Sequence, residues 1–158
     1  MVVGVDPGQA NCGVAVLDAA TLELLDAHTD FLCTRAAFTD IVVGRASISL
    51  VRRLQQKFPS IEQVVIESQY MGTHNKATQA ALSTAALALI GEDAASVVSP
   101  MTVKAHFRRA GLGFNGHAQN KTDALEAVRR MGYTVRDDHQ ADAILLALYW
   151  ADVRDSAF

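Results

Sequence analysis

The tightest constraint on this chain lies near its start, where "VVGVDPGQANCGVAV" (Val2–Val16) sets two runs of small and β-branched aliphatics around a Pro7-Gly8 turn. Short runs of such residues favour buried strands, and Pro-Gly reverses the chain. Val2–Asp6 and Cys12–Leu17 are therefore expected to pair, with Leu22–Leu32 following across a turn at Asp18–Thr21. Three strands joined by short turns imply an antiparallel meander. The first run ends in a carboxylate, Asp6, where a buried strand would ordinarily continue apolar.

Beyond the meander the pattern changes to helical spacing. Ile41, Val42, Ala46, Leu50, Val51, Leu54 and Phe58 predict a helix over Ala36–Phe58, stopped by Pro59. Val64–Glu67 is a short aliphatic strand that again ends in an acid. Ala77–Ile90 predicts a helix closed by Gly91 as a left-handed cap. Ser96–Val98 predicts another strand. Ser99-Pro100 supplies an N-cap and a first helical residue for a helix to about Ala110, ended by Gly111. Lys121–Met131 and His139–Val153 complete the series. The order βββαβαβα with further helices implies an α/β fold, a mixed five-stranded sheet flanked by helices. With 158 residues, no internal repeat and no linker, a single domain spanning 1–158 is expected.

Composition narrows the class. Half the residues are hydrophobic and none of the chain is low-complexity, which excludes a disordered protein. No apolar run approaches the roughly 18 residues of a spanning helix, and Asp6 interrupts any signal-peptide core. A soluble intracellular protein with no membrane partner is expected, with Cys12 and Cys33 as core thiols in a reducing compartment. The net charge of −3 is unevenly spread: Met101–Arg136 holds seven cations and two anions, a net +5, leaving −8 elsewhere. That asymmetry suits a protein holding polyanion in one place and cations in another. It equally suits a solvated helix face.

The two strand-end acids converge on one inference. A strand that follows a long crossover helix can lie parallel beside the first strand, which would make the carboxyl ends at Asp6 and Glu67 neighbours. Open sheets place ligand sites outside those ends. Two close carboxylates repel, and burial raises their pKa. A hard divalent cation, Mg²⁺ or Mn²⁺, relieves both effects. Taken singly, Asp6 could instead cap the Pro-Gly turn and Glu67 could be a solvated strand end. A third acid comes from "DDHQADAILLALYW", where Asp142 sits among core residues with His139 three positions earlier on the same helical face. Asp137 or Asp138 fits an N-cap. His74, His106 and His117 form no metal pattern and are expected at the surface.

In chain order, "VVGVDPGQANCGVAVLD", "VVIESQYMG", "SPMTVKAHFRRAG", "NKTDALEAV" and "HQADAILLALYWA" resemble the successive motifs of RuvC-type Holliday-junction resolvases, in the ribonuclease H-like superfamily. The resemblance covers nearly the whole chain. It implies a ribonuclease H-like fold, a homodimer, and cleavage of four-way DNA junctions with two Mg²⁺ (or Mn²⁺) ions per site, leaving 5′-phosphate and 3′-hydroxyl ends. It further implies that Asp6, Glu67 and Asp142 are metal ligands. It places His139 where many members carry another acid and some a histidine, as a further metal ligand or as the group that orients water or takes a proton. Lys104 and Lys121 match basic residues that meet DNA or the scissile phosphate. Tyr70 stands where an aromatic often lies near the junction centre, and Arg108 is a candidate backbone contact. The segment "GLGFNGHAQN" is longer than the usual family loop, and the short connection from Ile90 to Ser96 suits a viral or divergent member with broader choice of branched DNA. Two rivals share the opening strand. Sugar kinase or actin-like ATPases need a second phosphate loop, which is absent here. RuvX-type ribosomal RNA nucleases are the nearer rival; Glu67 followed by "SQYMG", and the "HQADA" ending, favour the resolvase type.

Overall fold

The computed structural model describes residues 1–8, 10–69, 73–112, 114 and 121–155. The meander forms as β1 (Val2–Pro7), β2 (Asn11–Leu17) and β3 (Leu24–Phe31). Helix α1 (Asp40–Lys57) leads to β4 (Gln63–Glu67), α2 (His74–Leu89) to β5 (Ala95–Val98), and α3 (Pro100–Arg109), α4 (Lys121–Arg130) and α5 (Asp138–Asp155) follow. Sheet order is β3-β2-β1-β4-β5, with β1–β2 and β2–β3 antiparallel and β1–β4 and β4–β5 parallel. This is the expected mixed five-stranded α/β sheet.

β1 is central, so it is buried on both faces. Side chains alternate across a strand. Val3 and Val5 pack with Leu50 and Leu54 of α1 and Leu82 of α2. Val2 on the opposite face joins Ala15, Leu17 and Val65 under Ala143, Ile144 and Leu146 of α5. The same alternation turns Asp6 and Glu67 towards the α5 face.

Caps shift two helix starts from their expected places. α1 begins at Asp40 rather than Ala36, because Thr39 has extended backbone and its hydroxyl accepts from Val42 N–H, while Arg35–Ala37 forms a 3₁₀ turn. α2 begins at His74, three residues before Ala77, capped by Thr73. Gly91 does not adopt the expected left-handed conformation; among the described residues the positive-φ glycines are Gly111 and Gly132. The chain leaves α2 through Ile90 N–H donating to Ala86 O at 2.9 Å and Ala94 N–H to Gly91 O at 3.1 Å, a turn that needs no left-handed residue. Ser99 and Pro100 start α3 as expected, and Gly111 (φ +78°) follows its end. Cys12 and Cys33 are buried. Among the described residues, no helix is long and apolar enough to cross a membrane.

α5 lies unusually close to the sheet because two facing positions lack a side chain. A Cβ on Gly4 would stand 1.9 Å from Ala143 O, and one on Gly13 would stand 2.1 Å from His139 O. Gly44, inside α1, has nothing within 4 Å of the corresponding position. Gly4→Ala is therefore expected to destabilise by about 1–3 kcal/mol, the usual cost of overpacking. Gly44→Ala should stabilise by about 0.5–1 kcal/mol through helix propensity. Thermal unfolding of the two variants beside the parent checks the opposite signs.

Candidate active site

The parallel register sets Val5 opposite Ile66, so the next residue on each strand, Asp6 and Glu67, extends the pair at the carboxyl end. Neighbouring strands run about 4.8 Å apart, and both side chains face α5. That helix supplies Asp142, which lies between the fully buried Ala141 and Ala143. One turn earlier, His139 Nδ1 lies 2.6 Å from Asp6 Oδ2. Asp137 fixes the helix start: its Oδ1 accepts Gln140 N–H at 2.9 Å, and its Oδ2 accepts the Thr29 hydroxyl of β3 at 2.7 Å. Asp137 is thus the cap, leaving Asp142 beyond the capping turn.

Crowding of acids shows in their protonation. Burial, then the charges of Asp6 and Asp142, push the Glu67 carboxyl up to about 8, against the pull of the Gln69 hydrogen bond and the Lys104 charge. Burial and Asp6 push Asp142 up to about 6, with Lys104 and His139 opposing. The Asp6 hydrogen bond raises His139 above its ordinary value despite burial, helped by the charges of Asp6, Asp138 and Asp137. When protonated, the His139 ring donates from Nδ1 to Asp6.

Lys104 acts on both Glu67 and Asp142 for a topological reason. Glu67 pairs with Val98, the last residue of β5, and α3 starts two residues later. Arg108 is exposed, but its Nε donates to Phe114 O at 2.7 Å, so part of its guanidinium holds the chain beyond α3. Lys121 is the first residue of α4; its side chain lies outside the described residues, as do Tyr70 and His117. His74 is exposed and its ring meets Phe38 at 4.4 Å. His106 is not simply a surface residue: it is half-buried and its Nε2 lies 2.7 Å from Asp152 Oδ2. Sequence reasoning missed Gln69, whose Nε2 donates to Glu67 Oε2 at 2.9 Å. Its position two residues past a strand-end acid carries no distinguishing pattern.

The donor set is hard oxygen from carboxylates that resist ionisation together, the chemistry that a divalent cation relieves. Among the described residues no three His, Cys, Asp or Glu side chains already form a metal cage; His139 engages one oxygen of Asp6.

A carboxyl that titrates higher when folded than when unfolded costs stability as pH rises between the two values. Metal-free protein is therefore expected to lose stability from about pH 4.5 towards pH 8 through Glu67. In chelator at pH 8.5, Glu67→Gln should melt higher than the parent by a few degrees, the effect of about 1 kcal/mol at this size. At pH 4 the two should coincide. Melting curves across that pH series, with and without Mg²⁺, check it.

No family model matches the chain, and no curated protein does. Solved structures do. Thermus thermophilus RuvC is similar at 24% identity and TM-score 0.69, over 99% of this chain and 96% of that one. T. thermophilus RuvC in complex with Holliday junction substrate is similar at 22% identity and TM-score 0.69, over 96% of this chain and 94% of that one. Fowlpox virus resolvase with Holliday junction DNA is similar at 14% identity and TM-score 0.61, over 97% and 99%. At these identities the likeness establishes architecture: the chain has the ribonuclease H-like fold of RuvC.

Proposed function

We propose that this chain is a divalent-metal-dependent endodeoxyribonuclease that resolves four-way DNA junctions by hydrolysing phosphodiesters to 5′-phosphate and 3′-hydroxyl ends. The observation that carries the proposal is the convergence of Asp6, Glu67, Asp142 and His139 on one face at the carboxyl ends of adjacent parallel strands. Support comes from end-to-end likeness to RuvC bound to a Holliday junction and to a viral resolvase bound to the same DNA structure.

Asp6, Glu67 and Asp142 would hold two Mg²⁺ or Mn²⁺ ions, which supply an activated water and stabilise the leaving oxygen. The side chains do the rest. Asp6 is held by His139 Nδ1, which fixes the carboxylate's orientation. The other ring nitrogen, Nε2, is left as the atom that takes or gives a proton. Lys104, close enough to lower both neighbouring carboxyls, is placed to neutralise charge gathering on the phosphate. Arg108 and Lys121 contact the DNA backbone, which positions without reading sequence, and Tyr70 meets the junction centre. A four-way junction calls for two symmetric cuts, which a homodimer with two-fold symmetry supplies; light scattering with and without junction DNA should give a dimer mass.

Cleavage of a four-way junction, a Y-fork, a linear duplex and an RNA–DNA hybrid tests the reading. The junction should be cut fastest. Preference for the fork would indicate the broader viral type, and RNA-only cutting the ribosomal RNA type. Asp6→Asn should lower the junction rate by more than the about 10–100-fold typical of changes around a metal ligand, with binding in Ca²⁺ retained. Lys104→Ala should slow single-turnover cutting with little loss of affinity, the mark of a contact made in the transition state. Lys121→Ala should cost both, with the salt slope lower by about one unit. Equal losses of rate and affinity for Lys104→Ala would leave it a backbone clamp.

A further inference from the structure

The two residues after β4, Ser68 and Gln69, are tied to two different elements. Ser68 N–H donates to Val98 O at 2.8 Å, which carries the β4–β5 ladder one residue past Glu67. The Gln69 N–H then leaves the sheet and donates to Oε1 of Gln79 in α2 at 2.9 Å. That same oxygen accepts from Lys76 Nζ at 3.0 Å. The Gln69 side chain turns back: its Nε2 donates to Glu67 Oε2 at 2.9 Å, and its Oε1 accepts from Asn75 Nδ2 at 3.4 Å. Gln79 is only 6% exposed, in a helix otherwise buried through Leu82, Ala85, Ala86 and Thr78. A buried carboxamide is tolerated where its polar atoms are bonded, and here the bond goes to the backbone that presents Gln69.

We propose that Gln79 is a positioning residue for Glu67: its acceptor oxygen sets the backbone at Gln69, and the Gln69 carboxamide aims Glu67 towards Asp6 and Asp142. This rests on reading Glu67 as a metal ligand. Groups that hold a ligand in place from behind commonly contribute 10–100-fold to metal affinity or rate. The operative atom is an acceptor, so the identity of the replacement matters. Gln79→Glu keeps an oxygen for both Gln69 N–H and Lys76. Gln79→Met keeps the length and removes it.

Four readouts are needed on the full chain: thermal unfolding, Mn²⁺ affinity by calorimetry, junction affinity in Ca²⁺, and single-turnover cutting in Mg²⁺. Gln79→Met is expected to bind Mn²⁺ about tenfold more weakly and to cut about tenfold more slowly, with junction affinity unchanged. Gln79→Glu should restore both to within about threefold of the parent, which a merely structural role would not produce. Parent-like Mn²⁺ affinity in Gln79→Met overturns the proposal, as does equal impairment of the Met and Glu variants. Should Gln79→Met fail to fold, Gln69→Met removes the donor to Glu67 without touching the buried helix face; the same tenfold loss supports the proposal and parent-like binding overturns it. A parent protein that binds Mn²⁺ but cuts no junction defeats the nuclease reading alone, and the Mn²⁺ comparison still decides Gln79. A parent that binds no Mn²⁺ defeats both.

Discussion

The parallel pairing of β1 with β4 is the contact on which the rest of the structure depends. Its register, Val5 opposite Ile66, brings two acids sixty-one residues apart in sequence to one edge of the molecule. A slip of one residue would turn one of them to the opposite face, into the cluster formed by Val3, Val5, Leu50 and Leu82. Valines and isoleucine buried on both faces hold that register, so the apolar core and the polar site are specified by one set of strands.

Bringing acids together opposes folding, and the surrounding chain is arranged to contain the repulsion. His139 meets Asp6, Gln69 meets Glu67, and Lys104 acts on Glu67 and Asp142. Each partner comes from a different element: the start of α5, the turn after β4, and the first turns of α3. α5 can bring His139 and Asp142 this close only because Gly4 and Gly13 leave room for its backbone against the sheet. Asp137 ties the same helix to β3 through Thr29. The candidate site is a consequence of strand ends, helix starts and two missing side chains, with its acids on strands and a helix.

Much of this was legible in sequence. The β-branched runs and the Pro7-Gly8 turn announced β1 and β2, the carboxylates closing "VVGVD" and "VVIE" lie at neighbouring strand ends as expected, and Ser99-Pro100 placed the start of α3 to the residue. Other features were not legible. Thr39 and Thr73 displaced two helix starts because a threonine hydroxyl facing a free N–H outcompetes an apolar stripe as a boundary signal. Gly91 looked like a left-handed cap, yet α2 closes through Ile90 and Ala94 without one. Arg108 places its Nε on the Phe114 carbonyl, a partner six residues away that no spacing rule indicates.

By itself the sequence determined the strands, their alternation and which of them end in acids, because side-chain period and residue class are local properties. Only the tertiary structure decided which atoms meet. Gln69 and Gln79 are unremarkable in the chain, yet once α2 packs beside β4 Gln79 accepts the Gln69 N–H and Gln69 donates to Glu67. Glycines at positions 4 and 13 read as small strand residues until α5 lies against them. The physical reason is range: a hydrogen bond of 2.9 Å or a clash at 1.9 Å depends on where distant backbones come to rest, and the packing of the whole core sets those positions.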